Sequence, residues 1–356
     1  MSREKARSFS LDFDVNPGEQ RQFRYEVSET YLGDPVEIPV TIINGSEPGP
    51  RIFMTAAIHG DELNGVKVLQ EVGHHYSPQD LAGTLVLLHV VNVPGFQSQQ
   101  RDLPIYDQDI NRSFPGSERS TTAHRIAHEL YQHFIRPCDL GIDFHTSTRN
   151  RTTMYHVRAD LTDETVKELA FAFGSNVILS GEGEDSSIRS VATRDRIPTI
   201  TVEMGKAHRF QPGLIEMALD GVERVLSQYD VAETGPVEEP TWRKVMAPGE
   251  KKRWIRADSG GLVEMEWGPN PLVHKGDPIC TITDHFRTEE HIVRAPFTGL
   301  IVGVLENPVA LPGHPICHLV RINQDTHDTI EREVSRGAFD GYQSYGQSWM
   351  VDDLTT

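Results

Sequence analysis

Hydrophobic positions change their spacing twice along the chain, and the changes divide it into three stretches. Residues 20–50 carry apolar–polar alternation, as in Val36-Glu37-Ile38-Pro39-Val40-Thr41-Ile42-Ile43, the two-residue period of a half-buried strand. Asn44-Gly45 and Pro48-Gly49-Pro50 interrupt it as turns. From residue 51 short, almost continuously apolar runs alternate with longer segments of helical period. The runs at 51–58, 84–93, 139–144, 176–180 and 198–204 predict strands, several of them buried on both faces of a sheet. Between them, 62–73 sets Leu63, Val66, Leu69 and Val72 on one stripe. The segment 121–135 does the same with Ile126, Leu130 and Phe134, entered through the capping-type Ser120 and Thr121. Two more helices are expected over about 162–174 and 212–228. Such alternation predicts an α/β fold with a mixed, largely parallel central sheet flanked by helices.

Near residue 232 the character shifts again. Ala232-Glu233-Thr234-Gly235-Pro236-Val237-Glu238-Glu239-Pro240 reads as a polar linker. Beyond it glycine and proline recur between short β-like pieces such as 261–265, 278–283 and 299–305, which predicts a small all-β unit. The expected division is therefore 1–232, with the β-rich segment 1–50 included, then a small β-domain at 245–325, then a polar tail at 326–356 that wraps loosely.

Length changes the picture little, since 356 residues suit two domains or one large domain with an appendage. Charge excludes more. With 34 basic and 52 acidic residues the formal charge is −18, which gives no electrostatic reason to bind nucleic acid or an anionic membrane. Cys138, Cys280 and Cys317 are too few and too scattered for a disulfide framework, so they read as small buried hydrophobes in a reducing compartment. The first residues lack a signal-peptide core, and no run approaches the roughly 20 apolar residues of a membrane span. A cytoplasmic protein is expected.

In a parallel α/β sheet, ligands gather at the carboxyl ends of the strands. One predicted strand ends in His59-Gly60-Asp61-Glu62, another in Asp143-Phe144-His145, and a third in Glu203-Met204-Gly205. Two histidines and a carboxylate are what a catalytic zinc needs, since such sites use three protein ligands and leave the fourth position open. An isolated H-x-x-E is weak, expected about once by chance in a chain of this composition. The weight comes from the combination, because each group follows a buried strand and is placed to converge. The connection from Arg101 to Gly116 adds to it, being long, polar and rich in turn residues. There Asn111 and Arg112 stand beside Phe114 and the Pro115-Gly116 turn. An arginine fork grips a carboxylate, and a second guanidinium near a scissile carbonyl stabilises an oxyanion.

In this order His59-Gly60-Asp61-Glu62, Asn111-Arg112-x-Phe114-Pro115-Gly116, Asp143-Phe144-His145-Thr146 and Glu203-x-Gly205 closely resemble the succinylglutamate desuccinylase and aspartoacylase family, within the zinc carboxypeptidase-like superfamily. The resemblance covers roughly residues 35–230, and the later β-rich part resembles the small β-domain appended in that family. It implies one zinc per chain at His59, Glu62 and His145, with Glu203 activating water. It also implies contact of Asn111 and Arg112 with a substrate carboxylate, and an oxyanion-stabilising arginine at Arg101. The implied activity is hydrolysis of the amide bond of an N-acyl amino acid or similar small carboxylate-bearing amide. A metallocarboxypeptidase acting on short peptides is the nearer rival, and a non-catalytic binding protein the more distant one. Arg149 and Arg151 are candidates for substrate choice, although a solvated surface role suits them better. Lys275-Gly276-Asp277 and Ala295-Pro296-x-x-Gly299 also look like a lipoyl or biotinyl carrier fold, but no lysine stands where the modified residue of a carrier would. A role in lid formation or subunit contact is preferred for that unit, and a homo-oligomer is compatible with it.

Overall fold

Strands whose residues are apolar on both faces need cover on both sides, and the chain supplies it. The computed structural model describes residues 6–104, 107–148, 150–233, 235, 242–246, 252–265 and 271–336. A short hairpin, β1 (Phe9–Ser10) and β2 (Asp14–Val15), precedes β3 (Glu19–Glu29), β4 (Pro35–Asn44) and β5 (Glu47–Thr55). Then come α1 (Asn64–His75), β6 (Ala82–Leu88), α2 (Val93–Ser98), α3 (Thr122–Leu130), β7 (Leu140–Ser147) and β8 (Arg151–Ala159). The rest of this part is α4 (Glu164–Phe173), β9 (Val177–Ser180), α5 (Ile188–Arg194), β10 (Thr199–Lys206) and α6 (Pro212–Gln228).

The middle of the sheet, β6-β5-β7-β10, is parallel throughout, with antiparallel β4 and β3 on one side and antiparallel β8 on the other. Alternate residues of β5 show why: Ile52 and Met54 pack with α1, α4 and α6, while Phe53 packs on the opposite face with α3 and α5. At about 1.5–3 kcal/mol for each fully buried aliphatic side chain, these two apolar layers are the main driving force for the arrangement. The mixed, largely parallel sheet flanked by helices is thus as the sequence predicts. Strand β8 was not among the predicted strands, because Thr152, Thr153 and His156 break its apolarity, yet all three are buried.

The C-terminal part holds β11 (Lys244–Met246), β12 (Lys252–Arg256), β13 (Gly261–Met265), β14 (Leu272–Val273) and β15 (Pro278–Thr283). It continues with β16 (Glu290–Arg294), β17 (Gly299–Leu305), β18 (Val309–Ala310), β19 (Pro315–Arg321) and α7 (Gln324–Ser335). Strands β16-β15-β13-β18 make a separate antiparallel sheet, while β17 pairs with β8 and β11 with β9, so the large sheet runs on into this part. Beyond residue 325 the expectation of a loose tail is corrected over 324–335, which is helical because Ile330 and His327 are buried against the β-rich core. The remainder of the tail from 337 and most of the 232–242 linker lie outside the described residues.

Candidate metal centre and its cleft

Strand β5 ends in a sharp departure. Ala57 takes a left-handed φ of +47°, a conformation that costs a non-glycine residue about 1–2 kcal/mol. The Glu62 N–H then donates to the His59 carbonyl at 3.1 Å, closing a turn that turns both side chains to one side. Gly60 is required inside that turn, since a Cβ there would lie 2.1 Å from the Gly95 carbonyl carbon of α2. Across the sheet His145, near the end of β7, brings its Nδ1 to 2.9 Å from Glu62 Oε2, while His59 Nδ1 stands 2.9 Å from Glu62 Oε1. All three side chains are buried, and their ligand-type atoms lie within 4.8 Å of one another. Asp61 turns away from them and accepts from Thr148 Oγ1 at 2.6 Å.

The far nitrogen of each ring faces its own carboxylate. His59 Nε2 lies 3.2 Å from Asp109 Oδ1 and His145 Nε2 lies 2.8 Å from Asp143 Oδ2, while Asp143 Oδ1 accepts from Thr55 Oγ1 at 2.7 Å. Such partners fix the tautomer with the proton on Nε2 and leave the Nδ1 lone pair inward. The inward set is then lone pairs against carboxylate oxygens, and the buried His59 Nδ1 has no hydrogen-bond partner. Converging acceptors of this kind call for a cation. The protonation equilibria say the same. Burial opposes charge on His145, but Asp143 and Glu62 outweigh it and hold its pKa well above the ordinary value. At His59 burial is likewise outweighed, chiefly by Glu62. Burial alone would raise the Glu62 pKa, yet the two histidines hold it far below the usual carboxylate range. Two nitrogens and a carboxylate, each oriented by an outer partner, fit a divalent zinc ion.

The trio opens onto a cleft of about 480 Å³ whose wall includes Arg101, Asn111, Arg112 and Glu203. Arg101 donates from Nη1 to Glu62 Oε1 (3.2 Å) and from Nη2 to Asp109 Oδ2 (3.1 Å). Asp109 also caps the turn that carries the substrate-type pair, accepting from the Asn111 N–H at 2.8 Å. The Asn111 side chain accepts from the Ile188 N–H at 2.8 Å, which ties that turn to the start of α5. The Phe114–Pro115 bond that follows is cis. Glu203 stands opposite His145 in the β10–β7 register, and its Oε1 pairs with Arg158 Nε at 2.9 Å. Gly205 after it is needed at φ +74°, where a Cβ would meet Gln211 Oε1 at 1.9 Å.

Sequence reasoning missed a wall of cations. Arg158 from β8, Arg189 from α5 and Lys252 from β12 line the same cleft. Lys252 Nζ donates to the Ser180 carbonyl at 3.1 Å, and Arg189 to that of Gly181. Burial and the charge of Arg158 push the Arg189 pKa down to about 10, and Lys252 is lowered by burial and by both arginines. Burial and like charge thus act in the same direction on Arg189 and Lys252. A strand-type Arg158, a helix-type Arg189 and a lysine of the β-rich part share no local motif, so no sequence signal links them. Asp109 was legible as the residue two before Asn111, had the pinning of a metal histidine been sought. Of the two residues weighed for substrate choice, Arg151 lies outside the cleft wall with its guanidinium 5.6 Å from the Trp254 ring, and Arg149 falls outside the described residues.

Comparison with known proteins follows this geometry. The catalytic domain of the succinylglutamate desuccinylase/aspartoacylase family matches residues 48–229. An N-α-acetyl-L-2,4-diaminobutyric acid deacetylase of Halomonas elongata is 23% identical over 291 residues, 79% of this chain and 84% of the relative. Among solved structures, a succinylglutamate desuccinylase/aspartoacylase from Rhodobacter sphaeroides superposes with a TM-score of 0.77 at 22% identity, covering 88% of this chain and 99% of that one. The product-bound ectoine utilization protein EutE of Ruegeria pomeroyi also gives 0.77 at 22% identity, covering 90% and 100%. Those likenesses bear on the fold. Among the described residues no helix is long and apolar enough to cross a membrane.

Proposed function

The chain belongs to the succinylglutamate desuccinylase/aspartoacylase family, a family of deacylases, and on that premise we propose that it is a zinc-dependent amidohydrolase removing the acyl group from an N-acyl amino acid or a similar small carboxylate-bearing amide. The observation that carries the proposal is the convergence of the buried His59–Glu62–His145 trio with Glu203, Asn111, Arg112 and Arg101 on one cleft.

When bound by the trio, one zinc ion per chain supplies Lewis acidity, lowering the pKa of water and polarising the amide carbonyl. Glu203 then serves as general base, taking a proton from the attacking water on a carboxylate oxygen and delivering it to the departing nitrogen. Arg158 holds the carboxylate for this work through its contact with Oε1. Arg101 beside Glu62 offers guanidinium N–H groups where oxyanion charge develops. Asn111 and Arg112 grip the substrate carboxylate and supply orientation. The cationic wall of Arg158, Arg189 and Lys252 favours a further anionic group over a cationic side chain. In this proposal residues 1–232 form the hydrolase unit, and the β-rich 245–325 forms a small domain that reaches the cleft through Lys252. Three buried free cysteines suit a reducing compartment, so we assign the protein to the cytoplasm.

Metal analysis of wild type, His59→Ala and His145→Ala, each assayed against N-acetyl and N-succinyl amino acids and against dipeptides, tests the reading. Loss of about one zinc per chain in both variants relative to wild type, together with deacylation, is the expected result. Turnover of dipeptides alone would move the assignment to a carboxypeptidase, and wild-type activity in metal-free protein would overturn the zinc chemistry.

A further inference from the structure

Helix α7 carries a second set of metal-type donors that the proposed hydrolysis does not use. His327, Asp328 and Glu331 offer an imidazole nitrogen and two carboxylate oxygens lying within 4.8 Å of one another. Helical spacing explains the meeting: Glu331 follows His327 by about one turn on the same face, and Asp328 flanks them. The carboxylates are exposed, whereas His327 is only 3% exposed. Its Nδ1 is buried without a hydrogen bond and stands 3.5 Å from Asp328 Oδ1, so the unsatisfied nitrogen faces the cluster. Burial of an unpartnered polar atom is unfavourable, and a bound cation would remove that cost by taking the lone pair. Over the same ring lies a second imidazole: the centroids of His274 and His327 are 4.5 Å apart with planes at 31°. His274 follows β14, so a second imidazole, from a separate segment, packs on the His327 ring at the edge of the β-rich core.

We propose that His327, Asp328 and Glu331 form a second cation site, distinct from the trio in the cleft. A mixed imidazole and carboxylate set selects a borderline transition ion of the Zn²⁺, Ni²⁺ or Co²⁺ class, whereas Mg²⁺ and Ca²⁺ prefer oxygen ligands. Metal bonds of about 2.0–2.2 Å require the donors to draw closer, which the exposed carboxylates permit. Asp328 Oδ1 also accepts from Gln324 Nε2 at 2.6 Å, which orients the carboxylate and leaves it a further lone pair for the ion. The bound ion bridges one turn of α7, a helix that Ile330 already anchors in the β-rich core. Its role is to stabilise α7, without contact with the cleft.

Zinc titration of chelator-stripped protein by calorimetry, together with melting curves, tests the site in wild type, His59→Ala, Glu331→Gln and the Glu331→Gln/His59→Ala double variant. Glu331 is a surface residue, so its variant keeps the fold. Wild type is expected to take two zinc ions per chain and Glu331→Gln one, with deacylation unchanged. Zinc should still raise the Tm of His59→Ala but not that of the double variant. Absence of zinc binding in His59→Ala overturns the site, as does weak binding that is equal in wild type and Glu331→Gln, which marks an adventitious ion only.

Discussion

At the metal end of the cleft His59 and His145 sit against Glu62, Asp109 and Asp143, which outweigh burial and hold both imidazoles above their ordinary pKa. Beside the cationic wall His156 and His318 are equally buried, but their neighbours are Arg158 and Lys252. There burial and neighbouring charge act together, driving His156 well below its ordinary value and His318 down to about 3. His318 spends its buried surface on packing, stacked on Trp254 at 4.8 Å with planes at 13°. Burial is common to both pairs, so the sign of the surrounding charge decides which histidines stand where positive charge is favoured and which serve as neutral packing.

Substitutions on either side of the cleft test this contrast. Replacing the base should have the largest effect: Glu203→Gln is expected to lower kcat by about 10²–10⁴ while keeping its zinc. Unchanged kcat would remove Glu203 from the mechanism, and loss of zinc would show that it acts through the metal centre. Next come the pinning carboxylates. Asp109→Asn and Asp143→Asn should each weaken zinc binding about 10–100-fold, read with a competing chelator. Equal affinity in both variants would mean that the outer partners do not orient the rings. At the opposite wall, Lys252→Gln should leave metal content unchanged and raise KM for doubly acidic substrates about tenfold, with kcat little altered. If KM rises equally for substrates with a neutral side chain, the wall is structural.

The smallest effect is on stability against pH. The unfolded chain protonates a histidine near pH 6.5, whereas folded His318 resists protonation until about 3. Its contribution is therefore fully present above about pH 6.5 and is lost as pH falls toward 3. Melting curves of wild type should decline across that window, and those of His318→Gln should decline less steeply. Parallel slopes would place the acid sensitivity elsewhere.

Strands β5, β6, β7, β9 and β10 were legible because each is apolar on both faces, and their register then delivered the motif residues to one edge. Strand β8 escaped the same reading, since a buried threonine or histidine looks like a solvated one until its neighbours are known. Helix α7 escaped because its stretch is polar apart from a few positions, and only packing against the β-rich core reveals which of them are inside.

What the sequence alone determined is the His59–Glu62 pair and the turn around Asn111, because local backbone geometry at a strand end brings those groups together within short motifs, while His145 joins them only through the pairing of β5 with β7. The tertiary structure decided the rest of the cleft. Arg158, Arg189 and Lys252 come from a strand, a helix and the β-rich part, and they meet only because β17 continues the sheet beyond β8 and carries β12 beside it through β19. Charges that far apart along the chain act on one another through space, so their meeting is a property of the folded sheet and of no segment within it.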